Sequence, residues 1–421
     1  MELQTILHID FDSFFASVEQ QCNHFLRGKP VGVTATNGRT CIIASSREAK
    51  RLGIKTGSRT YEARRLCPTL ILIPADFVKY WEVSKQFLEI CKDYSPFVEV
   101  FSIDETFIDV TKTLHLFGTV EKIVAQIKNR IKKEIGEYLT VSVGVSHNKL
   151  LAKLASGLRK PNGVFRITPE NLDEVYRRVK LTDVCGIGER IKARLNKISV
   201  QTLLDLRSLL KDYLIKEFGK VEADFLKRIA FGIDESPLLP YTTAPSVKSV
   251  GRNYCLAKNE YDKRVILQNI YELCEEVGIK LRRLNKKGRT VGLALRGDRN
   301  EHGRITGKAY VDTGLEIFSG CKLLWDTWQM GMVRMISVWV GGLLDATSLP
   351  LPLFESCVKR ERVVRAIDAI NDKFGDHTIR NGFLLYADKL TTVPNGYMAD
   401  RYERLILANP RSSIEHDTGS Y

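Results

Sequence analysis

The sequence predicts an α+β protein of several domains, and three observations carry that expectation. Setting aside a small inserted unit, the first 167 residues run strand, helix, strand, strand, helix, strand, which is the split βαβ, ferredoxin-like order. Residues 168–232 read as helical throughout. From Ser246 to Leu344 strand and helix patterns alternate again, as in a separate α+β domain. A chain of 421 residues has room for two to four such units and a large buried core.

Each element has its own signal. Thr5–Phe11 is an apolar run suited to a buried strand, and Ser13 is placed to cap the helix after it, where Phe15, Val18, Cys22 and Phe25 recur at helical spacing. Between Lys29 and Pro74 lies the insert. It has apolar runs at 31–34 and 40–44, short helices at 46–52 and 61–66, and a strand at 70–73. A longer helix fits 77–92. The stretch 97–110 reads as a hairpin with its acidic residues at the bend. A helix at 120–135, a strand at 140–145 and a helix from about Asn148 to Gly157 complete the pattern. That order places the first strand beside the hairpin at the centre of the sheet, so that Asp10 and the Asp104–Glu105 pair can meet. Residues 234–244, with Pro237 and Pro240, read as a tether. Arg334–Val340 fits a closing strand. Residues 348–354 are proline-rich, 359–374 form a basic amphipathic helix, and the last 20 or so residues are polar.

The chemistry is concentrated in two acidic clusters on apolar strands, His8-Ile-Asp-Phe-Asp-Ser-Phe-Phe15 and Ser102-Ile-Asp-Glu105. Carboxylates inside hydrophobic runs are costly unless compensated, and divalent metal ions compensate them. Oxygen ligands from separate strands suit Mg²⁺ on a phosphate substrate, and two such ions can run an in-line phosphoryl transfer. The net charge of +14 suits a polyanion such as nucleic acid, and over half of that excess lies in 245–310, with 15 Lys+Arg against 7 Asp+Glu. No run approaches a membrane span, and Met1–Gln4 lacks the form of a signal peptide. Nine scattered cysteines without a Cys-x-x-Cys argue against a disulfide scaffold or a zinc site and lead to the expectation of a cytoplasmic protein.

These residues resemble the Y-family DNA polymerases, the translesion enzymes of the DinB and UmuC type, over roughly residues 3–390. The motifs are Asp10-Phe-Asp with Phe14-Phe15-Ala, Ser45-Ser-Arg-Glu-Ala-Lys50 leading to Gly53, Ser102-Ile-Asp-Glu105, Gly144-Val-Ser-His-Asn-Lys149, Lys160-Pro-Asn-Gly163 and Val184-Cys-Gly-Ile-Gly188. The resemblance implies a right hand. Its ferredoxin-like palm would be 1–28 with 77–167, its small fingers 29–76, its helical thumb with a helix-hairpin-helix turn 168–232, a linker 233–244, and an α+β little finger 245–345. A C-terminal region, 346–421, would follow. The implied activity is error-prone, template-directed DNA synthesis without proofreading, in damage tolerance, by a monomer acting on primer–template DNA and dNTPs. Whether the chain is closer to DinB or to UmuC stays open.

The resemblance carries over residue by residue. Asp10, Asp104 and Glu105, with the main-chain carbonyl of Phe11, match the ligands of two Mg²⁺ ions, with Mn²⁺ as an alternative. Asp12 is not a ligand in the family and is expected to make structural hydrogen bonds. Phe15 matches the steric gate against ribose; by its spacing alone it would be a core phenylalanine. The backbone N–H groups of Phe14 and Phe15 suit triphosphate oxygens. Cys41 and Ile43 would lie on the strand over the nascent base pair, and Ser45 or Ser46 would replace a hydroxyl missing at Ala44. Arg47, Lys50 and Lys160 would be the phosphate cations, departing from the family's Tyr-Glu-Ala-Arg, which recurs out of context at Tyr61-Glu-Ala-Arg64 in what reads as a packing helix. Gly186 and Gly188 would let backbone amides approach DNA phosphates. Lys248, Arg252, Arg289 and Arg296, together with Arg282 and Arg283, would hold duplex backbone. Leu351, Leu353 and Phe354 resemble the sliding-clamp peptide of bacterial polymerases, with Pro350 in place of the usual glutamine; an apolar linker is the competing reading. Another palm-fold enzyme, such as a nucleotide cyclase, would not need the thumb or the basic C-terminal domain. A silent DNA-binding scaffold would be expected to lack one of the three carboxylates.

Overall fold

The computed structural model describes residues 4–35, 41–243, 246–350, 355–375 and 378–385. They fall into two compact units that divide at the 244–245 junction. The first holds β1 (Ile6–Phe11), β2 (Val31–Thr34), β3 (Ile42–Ser45), β4 (Ile71–Pro74), β5 (Val98–Val100), β6 (Glu105–Asp109), β7 (Val141–Ser146) and β8 (Val164–Arg166).

The palm sheet has the order β5-β6-β1-β7-β8, with β1 antiparallel to both neighbours. This is the ferredoxin-like order expected, with β8 added in parallel beside β7. β1 can be apolar along almost its whole length because both faces are covered. Phe11 meets Phe87 of the Phe77–Lys92 helix at 4.8 Å. On the other face, His8 meets Ser156 of the Lys149–Leu158 helix. Alternation along a strand puts Asp10 on the same face as His8. The second helix lies unusually close to the sheet. A Cβ on Gly144 would stand 2.0 Å from the Ala152 carbonyl oxygen, so only glycine admits this approach. That closeness delivers Lys153, Ser156 and Lys160 to the acidic end of β1.

The fingers are a three-stranded sheet, β3-β2-β4, over a small core of Ile42, Ala49, Ile54, Ala63, Cys67 and Leu70. Ala63 comes from the out-of-context Tyr61–Arg64 motif, so the Thr60–Leu66 helix serves packing, as its setting implied. The thumb is less separate than expected. Its core begins with Leu151, Leu154 and Ala155 of the palm's own helix and ends with Ile229 and Ala230. The tether is not free either. Lys149 Nζ donates to the Pro237 carbonyl, the Leu239 N–H to Glu99, and the Tyr241 N–H to the Val98 carbonyl at 2.7 Å.

The second unit is an antiparallel sheet of β9 (Ser249–Glu260), β10 (Lys286–Gly297), β11 (Asn300–Val311) and β12 (Val333–Asp345) in the order β11-β10-β12-β9. Helices Lys263–Arg283 and Gly314–Trp325 close its core. The expected boundary at 345 is too early. The Glu355–Phe374 helix belongs to this unit: its Asp368 accepts two 2.6 Å bonds from Arg282, and its Glu361 takes Lys287. Arg380 then pairs with the buried Glu272.

Candidate active site

In the β1–β6 register Asp10 stands directly opposite Glu105. The Phe11 N–H donates to the Asp104 carbonyl at 3.0 Å, which brings the third carboxylate to the same end of the sheet. Ligand atoms of His8, Asp10 and Glu105 lie within 4.8 Å of one another. Asp104 borders this group and accepts from Ser102 Oγ at 2.5 Å. Asp10 pairs with Lys160, and Glu105 Oε2 takes both Lys153 Nζ and, at 2.9 Å, His8 Nε2.

The electrostatics of the three carboxylates differ. Burial, followed by the charge of Asp10, pushes Asp104 up to about 6. Burial also raises Asp10 despite Lys160. Burial would raise Glu105 as well, but the His8 hydrogen bond and Lys153 outweigh it and hold the carboxyl at about 2. Three oxygen-donor side chains crowded out of water, two of them disfavouring their own charge, suit a hard divalent cation.

Asp12 takes no part in that group. It accepts from Thr140 Oγ1 at 2.6 Å, Ser142 Oγ at 2.7 Å and the Asn162 N–H at 2.7 Å. The structural hydrogen bonding expected of it is present, with hydroxyls and backbone in place of a cation. Arg47 donates to the same Thr140 hydroxyl, which ties the fingers' guanidinium to the palm. Lys50 is exposed yet has its pKa lowered, chiefly by burial of its ammonium and then by Lys160 and Arg47, against Asp12 and Asp10. The three expected phosphate cations therefore converge beside the carboxylates.

Ser13 departs from expectation. It adopts a left-handed φ of 57° and makes no side-chain cap, so the first-turn N–H groups at Phe14 and Phe15 have no side chain closing them off. Phe15 is 6% exposed, its ring stacked on Tyr80 at 4.3 Å and 16°, and Tyr80 is pinned by its hydroxyl to Glu19 at 2.7 Å. Cys41 lies just outside β3, in a single bridge with Arg59, because that strand begins at Ile42. Ile43 is half-buried on β3. Ser46 is occupied as the cap of the Arg47–Arg51 helix, accepting from the Ala49 N–H at 3.2 Å, whereas the Ser45 hydroxyl is buried without a partner.

In the thumb, Gly186 has φ +102° and a Cβ there would strike the Phe225 ring at 2.7 Å. Gly188 opens the Glu189–Lys197 helix, and nothing lies within 4 Å of where its Cβ would be. Packing thus requires a glycine at 186, while Gly188 faces open space.

The second unit corrects part of the expected DNA surface. Arg252 alternates with Val250 and Leu256 toward the helices and pairs with Glu276 at 3.0 Å. Arg282 and Arg283 are engaged by Asp368 and Asp372. Lys248, Arg289 and Arg296 are exposed. The sheet's other face carries Gly251, Trp339, Gly292 and Arg304 in one row across four strands and Met335, Arg296 and Asn300 in another. Arg304 was not anticipated. Arg296→Ala is expected to reduce the salt dependence of DNA binding by about one counterion, whereas Arg252→Ala leaves affinity unchanged and destabilises the unit by about 2 kcal/mol. Filter binding from low to high salt, with thermal melts, distinguishes the two. Leu351, Leu353 and Phe354 lie outside the described residues.

Carboxylates at one end of the two central strands of a ferredoxin-like sheet, with cations presented from the Arg47–Arg51 helix and from Lys160, are the arrangement of a nucleotidyl-transfer palm. A profile of the impB/mucB/samB family matches residues 9–157, and that family's C-terminal domain matches 247–353. DNA polymerase IV of Pelotomaculum thermopropionicum is 36% identical over 94% of this chain and 97% of its own length. Its counterpart in Moorella thermoacetica is 35% identical over 90% and 96%. Among solved structures, a Y-family DNA polymerase chimera superposes with a TM-score of 0.69 at 27% identity, covering 81% of this chain and 99% of that chain. DinB from Sulfolobus solfataricus gives 0.52 at 26%, covering 80% and 98%. The chain belongs to the Y-family DNA polymerases, in their DinB-like branch, and is a DNA-directed DNA polymerase.

Proposed function

We propose that the chain extends primers across damaged template by two-metal phosphoryl transfer, without proofreading, as a monomer in DNA damage tolerance. The observation that carries this reading is the meeting of Asp10, Asp104 and Glu105 at one sheet end beside Arg47, Lys50 and Lys160. Asp10, Asp104 and Glu105, with the Phe11 carbonyl, would hold two Mg²⁺ ions, or Mn²⁺ in their place. When bound, these ions supply charge stabilisation for the attacking and leaving oxygens. Arg47, Lys50 and Lys160 neutralise the triphosphate, and the uncapped amides of Phe14 and Phe15 receive its oxygens. Phe15, backed by Tyr80, lies under the sugar and excludes a 2′-hydroxyl. Cys41 and Ile43 leave a loose cover over the nascent pair, which admits damaged bases at the expense of fidelity. Gly188, Gly186, Lys248, Arg289, Arg296 and Arg304 hold the duplex by its backbone.

The test is extension of a labelled primer across an abasic site with Mg²⁺ and dNTPs. Full-length product, with no shortening of a mismatched primer in the absence of dNTPs, is expected. Arrest at the lesion on a template that is copied normally elsewhere removes the damage-tolerance reading. Leu351, Leu353 and Phe354 are proposed to dock on the bacterial sliding clamp. Pull-down of the clamp is expected to fail for Leu353→Ala/Phe354→Ala, and equal retention refutes the assignment. Among the described residues no helix is long and apolar enough to cross a membrane.

A further inference from the structure

His8 sits on the central strand with no solvent exposure, and its ring is used at both ends. Nδ1 lies 2.8 Å from Ser156 Oγ, and Nε2 lies 2.9 Å from Glu105 Oε2. The face of the ring lies against Phe107, with centroids 4.6 Å apart. Ser156 is itself buried, and its hydroxyl is also 2.8 Å from the Lys153 carbonyl. The chain of contacts thus runs from one turn of the Lys149–Leu158 helix, through the imidazole, to a carboxylate of the acidic site.

The direction of these hydrogen bonds follows from the partners. A carboxylate oxygen can only accept, so a buried 2.9 Å contact to it requires the hydrogen on Nε2. At the other end Nδ1 stands 2.8 Å from the Ser156 hydroxyl, which itself donates to the Lys153 carbonyl and so anchors the ring to the helix. The other groups on the carboxylates differ in kind. Lys153 on Glu105 and Lys160 on Asp10 are full cations, which a dication at the same oxygens repels. The His8 N–H instead comes from a buried ring held at both ends, and can hold Glu105 whether or not a cation is bound.

We propose that His8 and Ser156 are positioning residues for Glu105: Ser156 anchors the His8 ring at Nδ1, and His8 Nε2–H holds Glu105 Oε2 so that the carboxylate is presented to a divalent cation in one orientation. This rests on the reading of Glu105 as a cation ligand. It assigns His8 to the layer behind the ligands, although its Nε2 lies within reach of Asp10 and Glu105. Hard divalent cations prefer oxygen, and the ring nitrogen nearest the site is already committed to Glu105.

The test uses the full chain on primer–template DNA whose primer lacks a 3′-hydroxyl, with Mn²⁺ as the probe, so that affinity is read without turnover. Outer partners of metal ligands typically contribute about 10- to 100-fold in affinity. His8→Phe is expected to weaken Mn²⁺ by that amount with DNA affinity unchanged. His8→Gln, whose Nε2 reaches as far as the imidazole Nε2, is expected to restore most of it, and Ser156→Ala to give an intermediate loss. The ¹⁵N spectrum of wild-type His8 is expected to show a hydrogen on Nε2, and Ser156→Ala to shift the Nδ1 signal. An Nδ1–H form in the Mn²⁺ complex, the form of a histidine that ligates through Nε2, overturns the proposal. So does wild-type Mn²⁺ affinity in Ser156→Ala and His8→Phe. Glu105→Ala is the separate control. If it too binds Mn²⁺ normally, the ligand reading has failed; if it alone loses Mn²⁺, only the positioning role has.

Discussion

Asp104→Ala/Glu105→Ala, given primer–template, Mg²⁺ and dNTPs, is expected to extend at least about 10³-fold more slowly than wild type, since losing the cation site removes several kcal/mol of transition-state stabilisation. The DNA affinity proposed for the thumb and second unit should persist. Unchanged extension would sink the assignment of the ligands. The single amide variants separate the two carboxylates further when the protein is melted in chelator. Asp104 titrates in the folded protein at about 6, above its ordinary 3.8. As pH rises between those values the unfolded chain gives up a proton that the folded one retains, so stability falls. By pH 7 the ionised Asp104 is destabilising, and Asp104→Asn is expected to raise the Tm. Glu105 titrates at about 2, below its ordinary 4.5. Its contribution is fully present above 4.5 and is lost as pH falls toward 2, so Glu105→Gln is expected to lower the Tm at pH 7. Shifts of the same sign would show that the His8 and Lys153 contacts do not govern Glu105.

Phe15→Ala is expected to admit ribonucleotides, raising their incorporation relative to dNTPs by about 10- to 200-fold, the range for one small group accepted or refused by an apolar pocket. The ring cannot move aside in the wild type. It lies between Tyr80, stacked at 4.3 Å, and Phe77, edge-on at 5.9 Å, and Tyr80 is tethered by Glu19. Removing so buried a ring also lowers stability by about 3–5 kcal/mol. Phe15→Leu keeps most of the packing while shortening the barrier, and is expected to give the same preference with a smaller amplitude. Competition between rCTP and dCTP on one template measures both. Unchanged discrimination in both variants would return Phe15 to a purely structural role.

Much of the palm was legible because its strands are apolar enough to be found singly, and because one order of elements permits one sheet. Asp10, Asp104 and Glu105 were visible as carboxylates in apolar surroundings. His8 was visible by the same criterion, a polar residue inside Ile-Leu-His-Ile, but its partner depends on register with β6 and on how closely a helix approaches Gly144. Lys153 and Ser156 carried no signal of their own, since a lysine and a serine on an amphipathic helix are ordinary. Arg252 was legible and misplaced: alternation with Val250 and Leu256 puts it on the helix side of β9, whereas counting charge over a segment cannot separate two faces. The Arg282–Asp368 and Lys287–Glu361 pairs join residues far apart in sequence, and nothing local announces them. Ser13 shows the opposite failure. Its type suits a cap, but the left-handed backbone turns the side chain from that task and leaves the helix start open, where the triphosphate oxygens are proposed to sit.

The Pro237–Tyr241 segment has a consequence for solubility. β5 is the edge of the palm sheet, and an edge offers unpaired carbonyls and amides to any other extended chain. Tyr241 takes up the Val98 carbonyl, and the Leu239 amide is bound to Glu99 beside it. The segment that leads to the second unit is therefore also a cover for the palm's exposed border. Cleavage within it would uncover a template for strand addition, so a nicked preparation should aggregate before it unfolds.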